Sequence, residues 1–529
     1  LQHIETLSSD RFAGRAPGTP GEALTLSYLV DTFSGLGLRG AGPDGGFLQP
    51  VPVIGITSRP QLRIELDSGA SAAGSAGPAP GRASFSGTAL RFPDDYVALS
   101  RRAAADVAVQ GSPLVFVGYG VVAPEYDWDD YKGVDVRGKT LIMLVNDPQV
   151  PDPAQPGRLD ARLFQGEAMT YYGRWTYKYE IAAKLGAAAA FIVHETGPAG
   201  YPYAVVRSWG REHVDLDGGN GNRDRVAVEG WLSQTTAAGL LGACGQDLEA
   251  LKRAAIRRDF VPVPLLARAY IEVKNDLRSF VSHNVVARLD GTDAKRRTEV
   301  VVYSAHWDHL GQVAETGAGP PRIYHGAIDN ASGVAALLEI ARGLREARLR
   351  RTFLFLLPTA EEYGLLGAHY YAEHPLYPLR DTVADINLDM MNVWGRTLAI
   401  ANVAYGLSEL DETLKRVAAT QGREVHGDPD PLKGYFFRAD SFEFAKAGVP
   451  VALFMRPGLD FRDRAPGFAQ VKAAAFTAAD YHNPSDVVKA DWDLRGTAED
   501  VELLVRLGRE LDRTDGLPSW KAGAGFTRR

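Results

Sequence analysis

The 529-residue sequence predicts an α/β protein: a mainly parallel, twisted sheet flanked by helices, carrying an inserted β-rich module. Three observations predict it. From about residue 284 onward, short apolar runs alternate with amphipathic stretches, the pattern of strands joined by helices in a parallel sheet. Several of those runs are apolar without interruption, "RTFLFLL" (351–357) above all, as in a strand covered on both faces. Between about 85 and 264 the chain changes to closely spaced β-rich runs and polar, glycine-rich loops, which indicates a separate small core.

Residues 1–58 read as the first part of the main domain. "GEALTLSYLVDTFSGLG" (21–37) sets Leu24, Tyr28, Leu29 and Phe33 at helical spacing, with Gly35 and Gly37 as a stop. "FLQPVPVIGIT" reads as a strand, and "DSGASAAGSAGPAPGRAS" (67–84) as a long loop. Residues 59–264 read as the insert with its flanking loops. Its strands are "SPLVFVGYGVVAP", "KTLIMLVND" and "AAAAFIVHE", with "WTYKYEIAAKLGA" a helix ahead of the last and "DLDGGNGNRDR" (215–225) a polar loop. The aromatic-rich stretch 158–180 is expected to pack within the insert. Residues 265–529 read as the main part of the larger domain. "HNVVARL", "TEVVVYSAH", "RTFLFLL", "TVADINLDMM" and "VPVALFM" are its strands; "NASGVAALLEIARGLREA" is a helix with Val334, Leu337, Leu338, Ala341 and Leu344 on one face.

The totals exclude several classes. With 45% hydrophobic and 23% charged residues the composition is that of a globular protein, long enough for roughly two to four domains. No apolar run approaches the roughly 18 residues of a membrane span, so no transmembrane segment is expected. A net charge of −7 gives no electrostatic footprint for nucleic acid. A single cysteine, Cys244, rules out an intrachain disulfide and a cysteine-based zinc site, and reads as a small buried apolar residue. No GxSxG nucleophile elbow is present. The chain begins at Leu1 without methionine, consistent with a leader having been removed.

In open α/β sheets functional groups gather at the carboxyl ends of strands. His306 closes "TEVVVYSAH"; Asp329 lies just ahead of a helix; Glu361 and Glu362 follow "RTFLFLL"; Asp389 comes late in "TVADINLDMM"; His482 sits in "YHNPSDVV". Histidines and carboxylates without cysteine suit Zn²⁺ or a similar divalent ion with an open coordination position. Two histidines and three carboxylates exceed one tetrahedral site and match two ions sharing a bridging carboxylate. Two divalent charges less three carboxylates leave one positive charge, which a hydroxide neutralises. Of the adjacent glutamates, one is expected to bind metal and the other to stay free and move a proton. Neighbours can divide the work in that way only where the chain leaves the extended conformation.

"SAHWDHLG", "GAIDNASG", "PTAEEYGLLG", "NLDMMN" and "YHNPSD" resemble, in this order, the metal-site motifs of the M28 family of zinc peptidases. "FVGYGVVAPEYDWDDYKGVDVRGKTLIMLVND" resembles the start of a protease-associated (PA) domain, and "HIETLSSDRFAGRAPGTPGE" the N-terminal segment of bacterial members. The resemblance implies a zinc exopeptidase-like main domain with a PA-like insert and two Zn²⁺ ions, other divalent ions being alternatives. It places His306 and Asp389 on one ion, Glu362 and His482 on the other, and Asp329 between them. It makes Glu361 the general base and then acid, has the Asp308 carboxylate bonded to the free nitrogen of His306, and has Tyr481 stabilise the oxyanion. His309 is expected to make a loop hydrogen bond. "FRADSFEFAKAGVP" resembles the family's SDH…F…GIP segment: Asp440 is expected to cap the helix that stops at Gly448, Arg438 and Asp440 are candidate substrate residues, and Phe442 stands where a histidine is common.

The implied activity is hydrolysis of the N-terminal bond of a peptide substrate by a protein exported to the periplasm or outside. The alternatives are a zinc carboxypeptidase or dipeptidase using Arg438 for a substrate carboxylate, a glutaminyl cyclase-like acyltransferase with one zinc, and a non-catalytic, receptor-like binding protein.

Overall fold

The computed structural model describes residues 1–67, 90–207, 212–313, 320–455 and 460–528. The predicted loop 67–84 lies, from residue 68 on, outside them. The chain divides into two compact units. The first comprises Leu1–Pro52, Phe280–Pro429 and Tyr435–Arg529; the second comprises Val53–Ser279 with Asp430–Gly434.

In the first unit the strands Val451–Met455, Thr382–Asp389, Val300–Ser304 and Thr352–Leu357 lie side by side, all parallel. Residues 285–289 add an antiparallel strand, and Arg39–Gly40 pairs antiparallel with its outer edge. Every residue of the four parallel strands is buried, which explains the unbroken apolar runs of Thr352–Leu357 and Val451–Met455. One face carries Val301, Tyr303, Phe353, Phe355, Ile386 and Leu388. Against it pack the helices Pro20–Gly35, Gly333–Leu344, Leu410–Ala419 and Arg495–Arg513 through residues such as Phe33, Leu337, Leu414 and Leu507. Each such side chain contributes roughly 1.5–3 kcal/mol by its burial. The Tyr303 hydroxyl, buried in that layer, donates to Leu504 O at 2.7 Å. Gly508 makes room for it: a Cβ there would sit 2.5 Å from the Tyr303 oxygen.

The predicted helix over 330–347 begins only at Gly333, because Ala327–Ser332 forms a wide irregular turn in which Asp329 and Asn330 leave helical geometry. Two strands are longer than the apolar runs suggest, Leu48–Leu66 and the 27-residue Val263–Leu289. In both, exposed polar residues alternate with buried apolar ones, so period-2 patterning continues where hydrophobicity alone fades.

The second unit is also layered α/β. Residues 263–274 pair antiparallel with Asp106–Phe116. Thr140–Leu144, Ala189–Val193 and Val228–Leu232 then follow in parallel, and antiparallel Tyr96–Leu99 closes the edge. Separate apolar clusters cover the two faces. Helices Gln234–Ala243 and Leu248–Ala255 start at side-chain caps, Ser233 accepting from Thr236 N and Asp247 from Ala250 N. In the aromatic stretch, Phe164 packs on Tyr126 and Trp128, and Tyr172 on Tyr177, within the unit. Cys244 is buried, and burial pushes its thiol up to about 11. Among the described residues no helix is long and apolar enough to cross a membrane.

Candidate metal centre

The parallel strands of the first unit all end on one side, so the segments that follow them converge. Val300–Ser304 leads into His306, Asp308 and His309; Thr352–Leu357 leads into Glu361 and Glu362; Thr382–Asp389 ends on Asp389 itself. Asp329 comes from the irregular turn and His482 from the turn after helix Phe468–Ala479. Ala360 turns the chain with a left-handed φ of 54°, and Glu361–Tyr363 forms a single tight turn. Successive side chains there point about 120° apart, which sends the two glutamates into different surroundings. The Asp308 carboxylate fixes the turn by accepting from the amides of Glu361 at 3.0 Å and Glu362 at 3.4 Å.

The Asp329 turn is pinned from both sides. Asp486 accepts from the amides of Ile328 and Asp329, each at 3.0 Å. Asn330 donates through Nδ2 to Leu388 O at 3.0 Å and accepts through Oδ1 from the amides of Gly333 and Met390, both at 3.1 Å. Ser332 Oγ accepts from Met391 N at 2.8 Å. These bonds tie the turn to the end of the Asp389 strand. Gly333 permits the approach, since a Cβ would lie 2.2 Å from Asn330 Oδ1.

Asp329 faces one imidazole with each oxygen: Oδ1 is 3.4 Å from His306 Nε2, and Oδ2 is 3.3 Å from His482 Nε2. Asp389 Oδ1 lies 3.6 Å and Glu361 Oε2 3.8 Å from His306 Nε2; Glu362 Oε2 lies 3.0 Å from His482 Nε2. Glu362 Oε1 lies 2.6 Å from His309 Nδ1. Donor atoms of His306, Glu361 and Asp389 fall within 4.8 Å of one another, as do those of His309, Asp329 and Glu362. His306 Nδ1 meets the backbone oxygen of Asp308 at 3.2 Å. A carbonyl can only accept, so Nδ1 carries a proton, and Nε2 is the nitrogen that faces the acids. His306 Nε2, His309 Nε2 and Asp389 Oδ1 are buried without a hydrogen-bond partner, a condition rare in native proteins. Imidazole nitrogens and carboxylates gathered in this way are the donor types that suit a divalent ion.

The electrostatics separate the two glutamates. Burial, reinforced by Glu362, Asp389 and Asp440, outweighs His306 and holds Glu361 well above the usual carboxyl range. Burial also opposes ionisation of Glu362, but His482 and His309 override it and bring that carboxyl down to about 2. Burial lowers His482, yet Glu362 and Asp329 raise it to about 10. His306 is likewise held well above its ordinary value by surrounding carboxylates against the effect of burial. Proton and metal compete for such nitrogens. A small pocket opens onto these groups, its remaining walls being Met390, Tyr435, Arg438, Met455 and Tyr481.

The structure thus brings together His306, Asp329, Glu361, Glu362, Asp389 and His482. Tyr481 lies on the pocket wall with its ring stacked on His482 at 3.9 Å. Arg438 lies there too, its guanidinium over the Tyr435 ring at 5.5 Å. Two expectations are corrected. The Asp308 carboxylate is 3.7 Å from His306 Nδ1 and is engaged by the turn amides, so the Asp308 backbone oxygen takes its place. Asp440 does not cap helix Ser441–Lys446 with its side chain: its own backbone is already helical (φ −51°, ψ −32°), not extended as a capping side chain needs. Both its oxygens are buried without a hydrogen-bond partner, and burial, with Asp308, Asp389 and Asp385, pushes its carboxyl well up. Phe442 packs edge-on against Phe437 at 5.1 Å, so this position serves an aromatic cluster. His309, expected to make a loop bond, stands against Glu362; its place in "HWDH" was the available signal. Asp486, the last residue of "YHNPSD", was also missed.

A parallel α/β sheet whose strand ends gather imidazoles and acids over a pocket makes a candidate metal centre. Residues 284–505 match Peptidase family M28. The fold is similar to that of the aminopeptidase from Aneurinibacillus sp. strain AM-1, at 18% identity and a TM-score of 0.51, over 98% of this chain and 94% of that one. A stretch of 148 residues is 30% identical to a vacuolar membrane protease of Coprinopsis cinerea, covering 24% of this chain and 13% of that protein. Another of 163 residues is 31% identical to the aminopeptidase NAALADL1 of Mus musculus, covering 30% of this chain and 20% of that protein. The chain therefore spans a fifth or less of the length of these curated relatives.

Proposed function

We propose that the protein is a metal-dependent exopeptidase that hydrolyses the N-terminal peptide bond of peptides at a site holding two zinc ions. The observation that carries this reading is Asp329, which shares its two oxygens between His306 and His482. His306 and Asp389 would hold one ion, Glu362 and His482 the other, and Asp329 both. When bound, the ions supply Lewis-acid polarisation of the scissile carbonyl and acidify water.

The protein's own groups do the rest. Glu361, the more exposed of the adjacent acids and held at a raised proton affinity, takes the proton of the attacking water. It returns that proton to the leaving amine nitrogen as the C–N bond breaks. Environments that push two neighbouring carboxyls apart are how acid and base roles are divided. Asp308 holds the Glu361–Glu362 turn in place, and the Tyr481 hydroxyl donates to the developing oxyanion. No acyl-enzyme forms.

Aminoacyl chromogenic amides, assayed with and without chelator and with metal counted, test the reading. Chelator-sensitive cleavage and about two ions per chain support it; cleavage unaffected by complete metal removal would end it. Arg438 in the pocket wall supports a second reading, a carboxypeptidase or dipeptidase that anchors a substrate carboxylate. Preference for N-blocked peptides over amino-acid amides would select it. The PA-like nature of the insert rests on the resemblance of residues 116–147.

A further inference from the structure

The motif "FAGRAPGTPGE" (12–22) takes no part in the function proposed above and lies outside the segment that matches M28. Its arginine is nevertheless buried behind the metal centre, 1% exposed. Arg15 donates through Nε to Trp307 O at 3.0 Å, through Nη1 to Leu7 O at 2.7 Å and His325 O at 2.8 Å, and through Nη2 to Gly326 O at 2.9 Å. All four acceptors are backbone carbonyls. Trp307 lies between His306 and Asp308, and His325–Gly326 lead into the turn that carries Asp329. One guanidinium therefore joins the loops bearing two of the site's donors.

The neighbouring backbone is fitted to the same surface. Gly14 takes a φ of 70°, and a Cβ there would lie 2.3 Å from Gly311 O and 2.5 Å from Tyr324 O. Gly311 N donates to Gly14 O at 2.9 Å and His309 N to Arg15 O at 3.4 Å. A second residue of the motif reaches the glutamate turn. Glu22 accepts from Ser282 Oγ at 2.8 Å, and Ser282 Oγ lies 2.6 Å from Thr359 Oγ1, two residues before Glu361. The acids that act on the Arg15 charge are Asp486, Asp308, Asp329 and Glu362.

We propose that Arg15 is a positioning residue of the metal centre: a buried countercharge that sets the spacing of the His306 and Asp329 loops, with Glu22 registering the Glu361 turn, so that metal affinity depends on the N-terminal motif. This rests on the metal-centre reading above. A lysine cannot replace Arg15, because one ammonium cannot span carbonyls that a planar fork reaches together.

The test compares wild type, R15K, R15A and E22Q as the full chain. Zinc affinity is measured by competition with a chromogenic chelator, and site geometry by the visible absorption of the Co²⁺-loaded protein. Thermal unfolding in chelator checks the fold. R15A and R15K are expected to bind zinc about 10–100-fold more weakly, the usual cost of losing an outer partner of a metal site, with an altered cobalt spectrum. E22Q should show a smaller loss in the same direction, and millimolar methylguanidinium should restore R15A partly. Wild-type affinity and spectrum in R15K, with the fold intact, overturn the proposal; if R15A does not fold, R15K decides. A wild-type chain that binds no zinc instead overturns the metal-centre reading itself.

Discussion

Two buried charge clusters, one in each unit, use the same residue types to opposite effect. In the second unit Arg101 pairs with Glu229 at 3.0 Å and with Asp215 at 3.6 Å, and Arg225 reaches Asp215 at 3.3 Å. Cations and acids there are matched, and the sheet edge they hold is structural. In the first unit Asp308, Asp329, Glu361, Glu362, Asp389, Asp440 and Asp486 gather around imidazoles, with Arg15 buried beside them and Arg438 in the pocket wall. Acids outnumber fixed cations, and donor atoms remain unsatisfied. Burying unpaired charge is costly, so such an imbalance marks a site that completes itself with an external cation.

The contrast can be broken from either side. The largest effect is expected from Glu361→Gln, which keeps shape and removes the base. Turnover on an aminoacyl amide should fall at least about 10³-fold, with metal content by atomic emission unchanged. A loss of one ion per chain would show that Glu361 is a ligand with His306 and Asp389. In the matched cluster, Arg101→Met should cost about 3–5 kcal/mol by leaving buried acids unpaired. Hydrogen exchange should localise that loss to the second unit, with zinc binding retained.

Metal removal is the mirror experiment. At a free ion concentration about 100 times Kd, bound metal adds about 2.7 kcal/mol, so chelation should lower protection of the first unit's strands and spare the second. The smallest effect concerns Asp385, whose carboxyl burial pushes up to about 8 while the Ser304 hydroxyl, 2.7 Å away, opposes it. The folded state holds this proton more tightly than the unfolded chain. Its contribution is therefore full below about pH 4 and lost as pH rises through about 8. Asp385→Asn should match wild type near pH 4 and exceed it near pH 9, measured by denaturant unfolding. Equal pH profiles for the two proteins would remove the assignment.

Much of the site was legible because parallel strands end on one side: an acid or histidine just past an apolar run has only one place to go. That reasoning reaches His306, Glu361, Glu362 and Asp389 without knowledge of their neighbours. It fails where orientation depends on which backbone groups compete for a side chain. Asp308 turns to the amides of the glutamate turn, and Asp440 lies in helical backbone and cannot cap. The length of Val263–Leu289 was hidden because half of its pattern faces outward and is charged. Arg15 was invisible for a different reason: its partners are carbonyls, which no side-chain pattern encodes.

Asn330 shows how narrow the chemical tolerance of such a site is. Its planar group donates from one arm to Leu388 O and accepts on the other from Gly333 N and Met390 N. The amide offers a donor on one arm and an acceptor on the other, which an ionised carboxylate of the same shape cannot. A single change of nitrogen to oxygen, by mutation or by slow chemical ageing, would set two oxygens face to face beside Asp389. The durability of the centre thus hangs on an amide that never meets the substrate.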